Sequence, residues 1–393
     1  MKPLHLAYLS YEFPPHTAVG GIATYTENIA QLMAARGHHI EVFTSGPFIS
    51  LNEPVATNLT IHRIPVAVRQ QFHQAIVGHF IQRHEEIKFD LVESPEYQKE
   101  GFSIQQRFPE LPMIIRFHTP SFWVKKLNKT YEKNSLKEQL KKTFGIKQYK
   151  KETDAEYLFA QQSTNWSAPS QVLKEVLIEH WNADPNRITV LPNPFQSTSG
   201  LLSIPVDTQT NTITYIGRLE TRKGLIELTK AIPLVLQQHP TAMFRFIGKS
   251  DRGPGNHKLM ADYMQQELKA YASQLEFIAP VPKRELENYF AQTDICVFPS
   301  LWEVFGYVCV EAMAAARGIV AGNIGGMKEM LEDVDGGILV NPTQPEEIAN
   351  AILQLLRHPQ QRMEMGLRSR QKTIDYYSNQ VIVEIEAYYR TLI

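Results

Sequence analysis

The chain has 393 residues, 43% of them apolar and 21% charged, and a net charge of −1 at pH 7. That length exceeds what one hydrophobic core usually organises, so two domains are the default, and the near-neutral balance excludes a global field that would recruit nucleic acid or an acidic partner. Cys296 and Cys309, the two cysteines, both lie in apolar runs; they read as small core residues of a reducing compartment, with no metal-ligand spacing.

The first apolar run, 4–9, is too short and too early for a signal peptide, and no run approaches the roughly 18–20 residues of a membrane span. The expected location is the cytoplasm or the cytoplasmic face of a membrane. From there short apolar strands alternate with amphipathic helices, the pattern of parallel α/β sheets. The first half has expected strands at 4–9, 40–44, 60–63, 91–94, 113–117, 165–168 and 189–191, with helices at 22–35, 72–86 and 171–180. After the first strand comes Tyr11-Glu12-Phe-Pro-Pro-His16-Thr-Ala-Val-Gly20-Gly21, whose two glycines free the N–H groups of a tight loop, an anion nest. No Gly-x-Gly-x-x-Gly follows an expected strand, which speaks against a dehydrogenase. His118 ends the strand at 113–117; a lone histidine there is, by itself, more often structural than functional.

Between 125 and 151 ten lysines face only Glu132 and Glu138, with Phe122, Trp123, Tyr131, Phe144 and Tyr149 around and among them. Two readings stay open: a solvated helical excursion, or a basic aromatic surface for peripheral contact with anionic lipid headgroups or a lipid-diphosphate acceptor. Nucleic acid is a poor third, because no binding motif accompanies the charge. Proline, serine and threonine without periodicity then mark an interdomain linker after 192. The expected division is 1–192, 193–376 and a closing segment, 377–393.

The second half restarts with strands at 212–216, 243–247, 275–278, 295–298, 318–321 and 337–340. Helices are expected at 225–238, 258–272, 283–291, 307–316, 345–356 and 379–392. Gly217-Arg218-Leu-Glu-Thr-Arg222-Lys223-Gly224 follows its first strand. Arg218 and Lys223 can clamp a diphosphate from two sides, whereas without an anion two cations at a helix start oppose the macrodipole. Arg222 reads as solvated. Further on, the strand at 295–298 runs through Pro299-Ser300 to Glu303, passes Gly306 and enters a helix carrying Glu311. Free N–H groups at such a crevice attract anions. Carboxylates on both sides of it suit a ligand with hydroxyls flanking a phosphate, and a nucleotide sugar is such a ligand.

With Asp294-Ile-Cys-Val-Phe-Pro-Ser before Glu303, Glu311-Ala-Met-Ala after it, the Glu-x7-Glu spacing, Gly-Arg-Leu-x-x-x-Lys-Gly at 217–224 and Pro-Pro…Gly-Gly at 14–21, the chain resembles glycosyltransferase family 4, retaining enzymes of the GT-B fold. The resemblance implies two Rossmann-like parallel-sheet domains facing each other across a deep cleft, the first binding acceptor and the second donor, with the C-terminal helix crossing back onto the first. It implies no cofactor and no metal, Arg218 and Lys223 taking the charge of a departing nucleoside diphosphate. By the same resemblance Glu303 holds donor-sugar hydroxyls and Glu311 the ribose, while the backbone at Phe305, Gly306, Tyr307 and Val308 lines sugar and α-phosphate. Val281 sits where the base is read, Gly20 and Gly21 near the donor phosphate, and His118 beside the sugar's reaction centre. Glu12 and His16 fall on the acceptor side.

The implied reaction is sugar transfer with retention, by front-face displacement, from a UDP-sugar (UDP-glucose as the best single guess) to a saccharide or lipid-linked acceptor in exopolysaccharide or cell-envelope synthesis. The rival readings are a UDP-sugar epimerase or hydrolase on the same fold, and a noncatalytic sugar-nucleotide binder. Two departures stand out: Ala316-Arg317-Gly318 where the family has Gly-x-Pro, expected to alter only a turn, and Asn193-Pro194-Phe195 where it has Asn-Gly-Val.

Overall fold

The computed structural model describes all residues except 1, 18–19, 48–50, 132–148 and 256. Most of the lysine-rich segment read at 125–151 therefore lies outside the described residues. The chain forms two compact units. One comprises Met1–Val124, Gln148–Gln196 and Tyr377–Ile393; the other comprises Ser197–Tyr376 together with Lys125–Lys147.

In the first unit eight strands form one sheet: β1 His5–Leu9, β2 His39–Gly46, β3 Leu51–Ala56, β4 Leu59–Pro65, β5 Leu91–Pro95, β6 Met113–Arg116, β7 Asn165–Ala168 and β8 Ile188–Val190. Their order is β3-β4-β2-β1-β5-β6-β7-β8, parallel except for β3, which pairs antiparallel with β4. The second unit carries β9 Thr212–Ile216, β10 Met243–Ile247, β11 Leu275–Ile278, β12 Ile295–Phe298, β13 Gly318–Gly322 and β14 Ile338–Val340, all parallel, in the order β11-β10-β9-β12-β13-β14. Central strands β9, β12 and β13 are buried along their whole length, as parallel strands covered by helices on both faces must be. Two α/β domains built on parallel sheets is the class read from the sequence.

Each sheet has one place where strand order reverses, β1 beside β5 and β9 beside β12. Open α/β sheets bind ligands outside the strand carboxyl ends at such a switch point. The helix Pro345–Arg357 shows how the covering layer is specified: proline at its start, Glu346 and Glu347 in the first turn, Arg357 in the last, and a buried stripe that includes Ile348, Ile352 and Leu355.

Several expectations need correction. β3 was not anticipated. The helix expected at 72–86 is broken at Ile76 into Phe72–Ala75 and Val77–Ile87, and the one at 258–272 shortens to Met260–Glu267 followed by 3₁₀ turns. The helix after Gly306 ends at Ala314, and the terminal one is Val381–Arg390, preceded by a π-helical stretch over Thr373–Gln380. Phe122 is buried against Tyr149 and Trp181, so this aromatic of the basic segment packs inward.

The C-terminal segment is pinned within the first unit. Tyr389 donates to one oxygen of buried Glu93 and Tyr25 to the other, both at 2.7 Å, and Arg36 pairs with Glu386 at 2.5 Å. In the second unit the stretch after 199 is held by three arginines. Arg317 donates to Thr208 (Oγ1, 2.7 Å) and to the Pro205 carbonyl, Arg362 to the Thr208 carbonyl, and Arg370 to the Ile204 carbonyl at 2.7 Å. Arg317 thus does more than alter a turn: its buried side chain anchors the linker. Burial lowers its guanidinium to about 10.

Candidate functional site

At the switch point of the second sheet, β9 is followed by Gly217 (φ +145°) and the chain turns through Arg218 to Gly224. Leu219 bridges to the strand extension after β10, its N–H donating to the Lys249 carbonyl at 2.8 Å while its own carbonyl accepts from Asp251 N–H at 2.9 Å. Gly224 (φ +71°) closes the turn; a Cβ there would lie 1.8 Å from the Pro299 carbonyl oxygen, so glycine lets this turn lie against the loop after β12. That second loop is tied on by Leu301 N–H donating to the Arg222 carbonyl at 2.9 Å.

The result is a row of charges on two adjoining loops. The Lys223 ammonium donates directly to Glu303. Both side chains are largely buried, 16% and 15% exposed, so each is held mainly by the other. Burial pushes the Glu303 carboxyl up, but Lys223, then Arg222, more than reverse this and hold it below the usual carboxylate range. Burial also draws the Lys223 ammonium below the ordinary lysine range, with Glu303 opposing it. Arg222 is not solvated as expected: its side chain is 12% exposed, donating to Glu220 at 2.8 Å and to the Trp302 carbonyl at 3.4 Å. Arg218 is the open cation, 58% exposed, 3.3 Å from Glu220 and 3.5 Å from Asp251.

Gly306 (φ +92°) turns the Glu303 loop into the helix Tyr307–Ala314. Phe305 is buried, and its ring meets Tyr307 edge-on at 5.3 Å. The loop is braced from behind by Gly326, whose N–H donates to the Glu303 carbonyl at 2.8 Å. Val308 lies in the first helical turn. Glu311, one turn further, is buried, and burial raises its carboxyl to about 7, with Lys283 pulling the other way. Val281 lies on the loop that follows edge strand β11 and precedes the helix Lys283–Ala291, two residues before the lysine that acts on Glu311. Thus Arg218, Lys223, Glu303, Phe305, Gly306, Tyr307, Val308 and Glu311 gather at one switch point. Among the described residues no group of three or more metal-ligating side chains assembles.

The first unit presents its own polar edge after β1, β5 and β6. His118 N–H donates to both oxygens of buried Glu96, at 3.0 and 3.1 Å, and its Nδ1 donates to the Arg116 carbonyl at 3.1 Å. A carbonyl only accepts, so the neutral ring carries its hydrogen on Nδ1 and leaves Nε2 as an acceptor; that atom is buried and without a partner. Gly20 caps the helix Gly21–Ala35, and a Cβ on it would meet Glu12 Oε2 at 3.2 Å. A carboxylate of the chain itself therefore stands at the expected anion nest. Glu12 is paired with Arg69, which also binds buried Glu100 at 2.6 Å and lies 4.4 Å above the Tyr97 ring. Burial lifts Glu100 to about 7 despite Arg69. His16 is exposed.

Sequence reading missed Arg69, Glu96, Glu100, Glu220 and Asp251. Glu220 lay inside a motif already singled out; Arg69 meets Glu12 across 57 positions, which no local pattern announces.

Comparison with known proteins gives a consistent picture. Residues 19–197 match the family described as Glycosyltransferase Family 4, and residues 203–372 match Glycosyl transferases group 1. The chain is 25% identical over 381 residues to a D-inositol 3-phosphate glycosyltransferase of Corynebacterium glutamicum, covering 88% of this chain and 86% of that one. Among solved structures it resembles sucrose-phosphate synthase from Thermosynechococcus elongatus (TM-score 0.74, 20% identity, 99% of each chain). It also resembles Anabaena HepE in complex with UDP and glucose (TM-score 0.70, 16% identity, 99% of this chain and 100% of the other).

Proposed function

Since the chain belongs to glycosyltransferase family 4 and has the GT-B fold, we propose that it is a retaining, metal-independent hexosyltransferase that moves a sugar from a nucleoside-diphosphate donor to an acceptor hydroxyl. The observation that carries this reading is the pairing of Lys223 with Glu303 beside Arg218, at the carboxyl ends of the two strands flanking a switch point. A diphosphate offers the cations the negative charge that the carboxylates now supply, and its charge grows as the glycosidic bond breaks. Fixed cations at that position stabilise the transition state more than the ground state. Glu303, released from Lys223, then faces donor hydroxyls, and Glu311 accepts from the ribose.

UDP-glucose is the donor of choice, supported by the HepE complex with UDP and glucose. His118, with Nε2 free to accept, is assigned to the donor sugar. The first unit binds the acceptor, with Glu12 and His16 on its approach, and the product class is an exopolysaccharide or cell-envelope polysaccharide. No helix among the described residues is long and apolar enough to cross a membrane; contact through the segment 125–151 would be peripheral. The test is release of nucleoside diphosphate from a panel of nucleotide sugars, with EDTA present and absent, with and without candidate acceptors. Transfer that needs a divalent ion, an epimerised donor in place of transfer, or full activity in Glu303→Ala or Lys223→Ala would overturn the assignment.

A further inference from the structure

Arg222 does not belong to the clamp read from the sequence, yet it is the most heavily tied side chain of the turn. Its carbonyl accepts from Leu301 N–H at 2.9 Å; one end of its guanidinium reaches the Trp302 carbonyl and the other Glu220. Leu301 and Trp302 lead directly into Glu303, and Glu220 is also a neighbour of Arg218. A planar fork can hold a carbonyl and a carboxylate in fixed directions at once, which a lysine's single ammonium cannot. We propose that Arg222 is a positioning residue for donor chemistry: it ties the turn bearing Arg218 and Lys223 to the loop bearing Glu303, so that Glu303 keeps its place when Lys223 turns to the diphosphate.

This rests on the proposed diphosphate role of Lys223. In the present state Lys223 is the cation touching Glu303. Once a diphosphate takes Lys223 as partner, the buried carboxylate would lose its contact and be driven toward protonation. The charged and titratable groups acting on Glu303 are Lys223, Arg222 and Arg218 from the turn, Tyr215 from β9 and Cys309 from the following helix. After Lys223, Arg222 is the stronger remaining cation, and its bonds to Glu220 and Trp302 hold it where it is while Lys223 changes partner. The arrangement keeps Glu303 ionised and aimed during turnover.

The experiment compares wild type, Arg222→Gln, Arg222→Lys and Lys223→Met. Binding of UDP, ADP and GDP is measured by calorimetry, and hydrolysis of the matching nucleotide-glucose is followed from pH 5 to 8. Arg222→Gln should bind the nucleoside diphosphate within about fivefold of wild type while kcat falls about tenfold or more, with KM less affected. Its acid limb should move up by about half a pH unit or more, because Glu303 has lost a neighbouring cation. Arg222→Lys should restore the acid limb but not kcat. An unchanged kcat and acid limb in Arg222→Gln would overturn the proposal, and so would an affinity loss as large as that of Lys223→Met, which would make Arg222 a direct ligand. If wild type binds none of the nucleotides, or Lys223→Met binds them equally well, the Lys223 assignment falls first, a result distinguishable from failure at Arg222 alone. Should Arg222→Gln not fold, Glu220→Gln frees one end of the guanidinium and keeps the charge. It should lower kcat without moving the acid limb, and an unchanged kcat there would refute the idea.

Discussion

Replacing Lys223 with methionine removes the ammonium that touches Glu303 while keeping most of the side chain's volume. The two partners are 16% and 15% exposed, so the pair is mainly buried. Breaking a buried pair by deleting one partner costs about 3–5 kcal/mol. Arg222 and Arg218 remain and still favour the carboxylate, so the expected loss at pH 7 is about 2 kcal/mol. For a unit of this size that corresponds to a fall in melting temperature of about 4–8 °C. The sign with pH is fixed. In the native protein Glu303 is held below its ordinary value, so it contributes stability above its unfolded value near pH 4.3, lost as pH falls through the folded one. In Lys223→Met burial meets weaker opposition and the carboxyl rises, so the variant's penalty grows as pH rises past about 4.3. The gap between the two proteins should widen from pH 4 to pH 7 in scanning calorimetry. Glu303→Gln in the same background should recover much of the loss, with a coupling of about 1 kcal/mol or more. Melting within about 1 °C of wild type across that range, with no coupling, would refute the reasoning.

Gly224→Ala should lose about 2 kcal/mol or more, through left-handed strain and a Cβ placed 1.8 Å from the Pro299 oxygen. It should also weaken nucleoside-diphosphate binding, whereas Gly21→Ala, with nothing within 4 Å of its Cβ, should leave folding as it is. Urea titration checks both. Tyr389→Phe removes one of the two hydroxyls held by buried Glu93 and should cost about 1–3 kcal/mol in the same assay. Burial raises Glu100, Glu156 and Glu311 to about 7 each. At these three carboxyls the folded chain binds more protons than the unfolded one between about pH 4.3 and 7, so their contribution to stability declines as pH rises through that window, while His5, His38, His73 and His84, lowered by burial, contribute in the opposite direction. Glu311→Gln should make the slope of melting temperature against pH less negative, or more positive, through that window; an unchanged slope counts against a protonated Glu311.

What the sequence made legible follows from how local the determinants are. β12 and β13 are continuous apolar runs bounded by turn residues, β9 alternates threonine with large apolar residues, and the helix Lys283–Ala291 carries its start signal in Pro282. β3 was illegible because Asn52, Glu53 and Pro54 break its pattern; it exists by pairing antiparallel with β4, a tertiary choice. The break at Ile76 is marked only by Gly78 two positions on, and the π-helical stretch at 373–380 carries no proline or glycine to announce it. At the site, Arg218, Lys223, Glu303 and Glu311 are picked out by resemblance to a family's motifs, which are legible because each lies within one turn or one helix start. The direction of the Arg222 side chain depends on nearby Glu220 and on the Trp302 carbonyl, 80 positions away, and the second contact has no local signal.

The counter-charges around the site bear on how a donor would bind. Lys223 is paired with Glu303, and Arg218, though open to solvent, lies beside Glu220 and Asp251. Unpaired cations crowded on one turn would repel each other and scatter their side chains, so these carboxylates keep the turn ordered. In the proposed reaction the diphosphate then exchanges with them and need not organise free cations. Displacement of Glu303 from Lys223 has a second effect, because the carboxylate released is the one assigned to the sugar. A nucleoside monophosphate, with fewer oxygens to reach both Arg218 and Lys223, would leave more of the Lys223–Glu303 pair intact and release less of Glu303. Discrimination between mono- and diphosphates should therefore shrink in Glu303→Gln, where no pair has to be broken. Calorimetry with UMP and UDP decides the point, and an undiminished preference in that variant would separate diphosphate recognition from the release of Glu303.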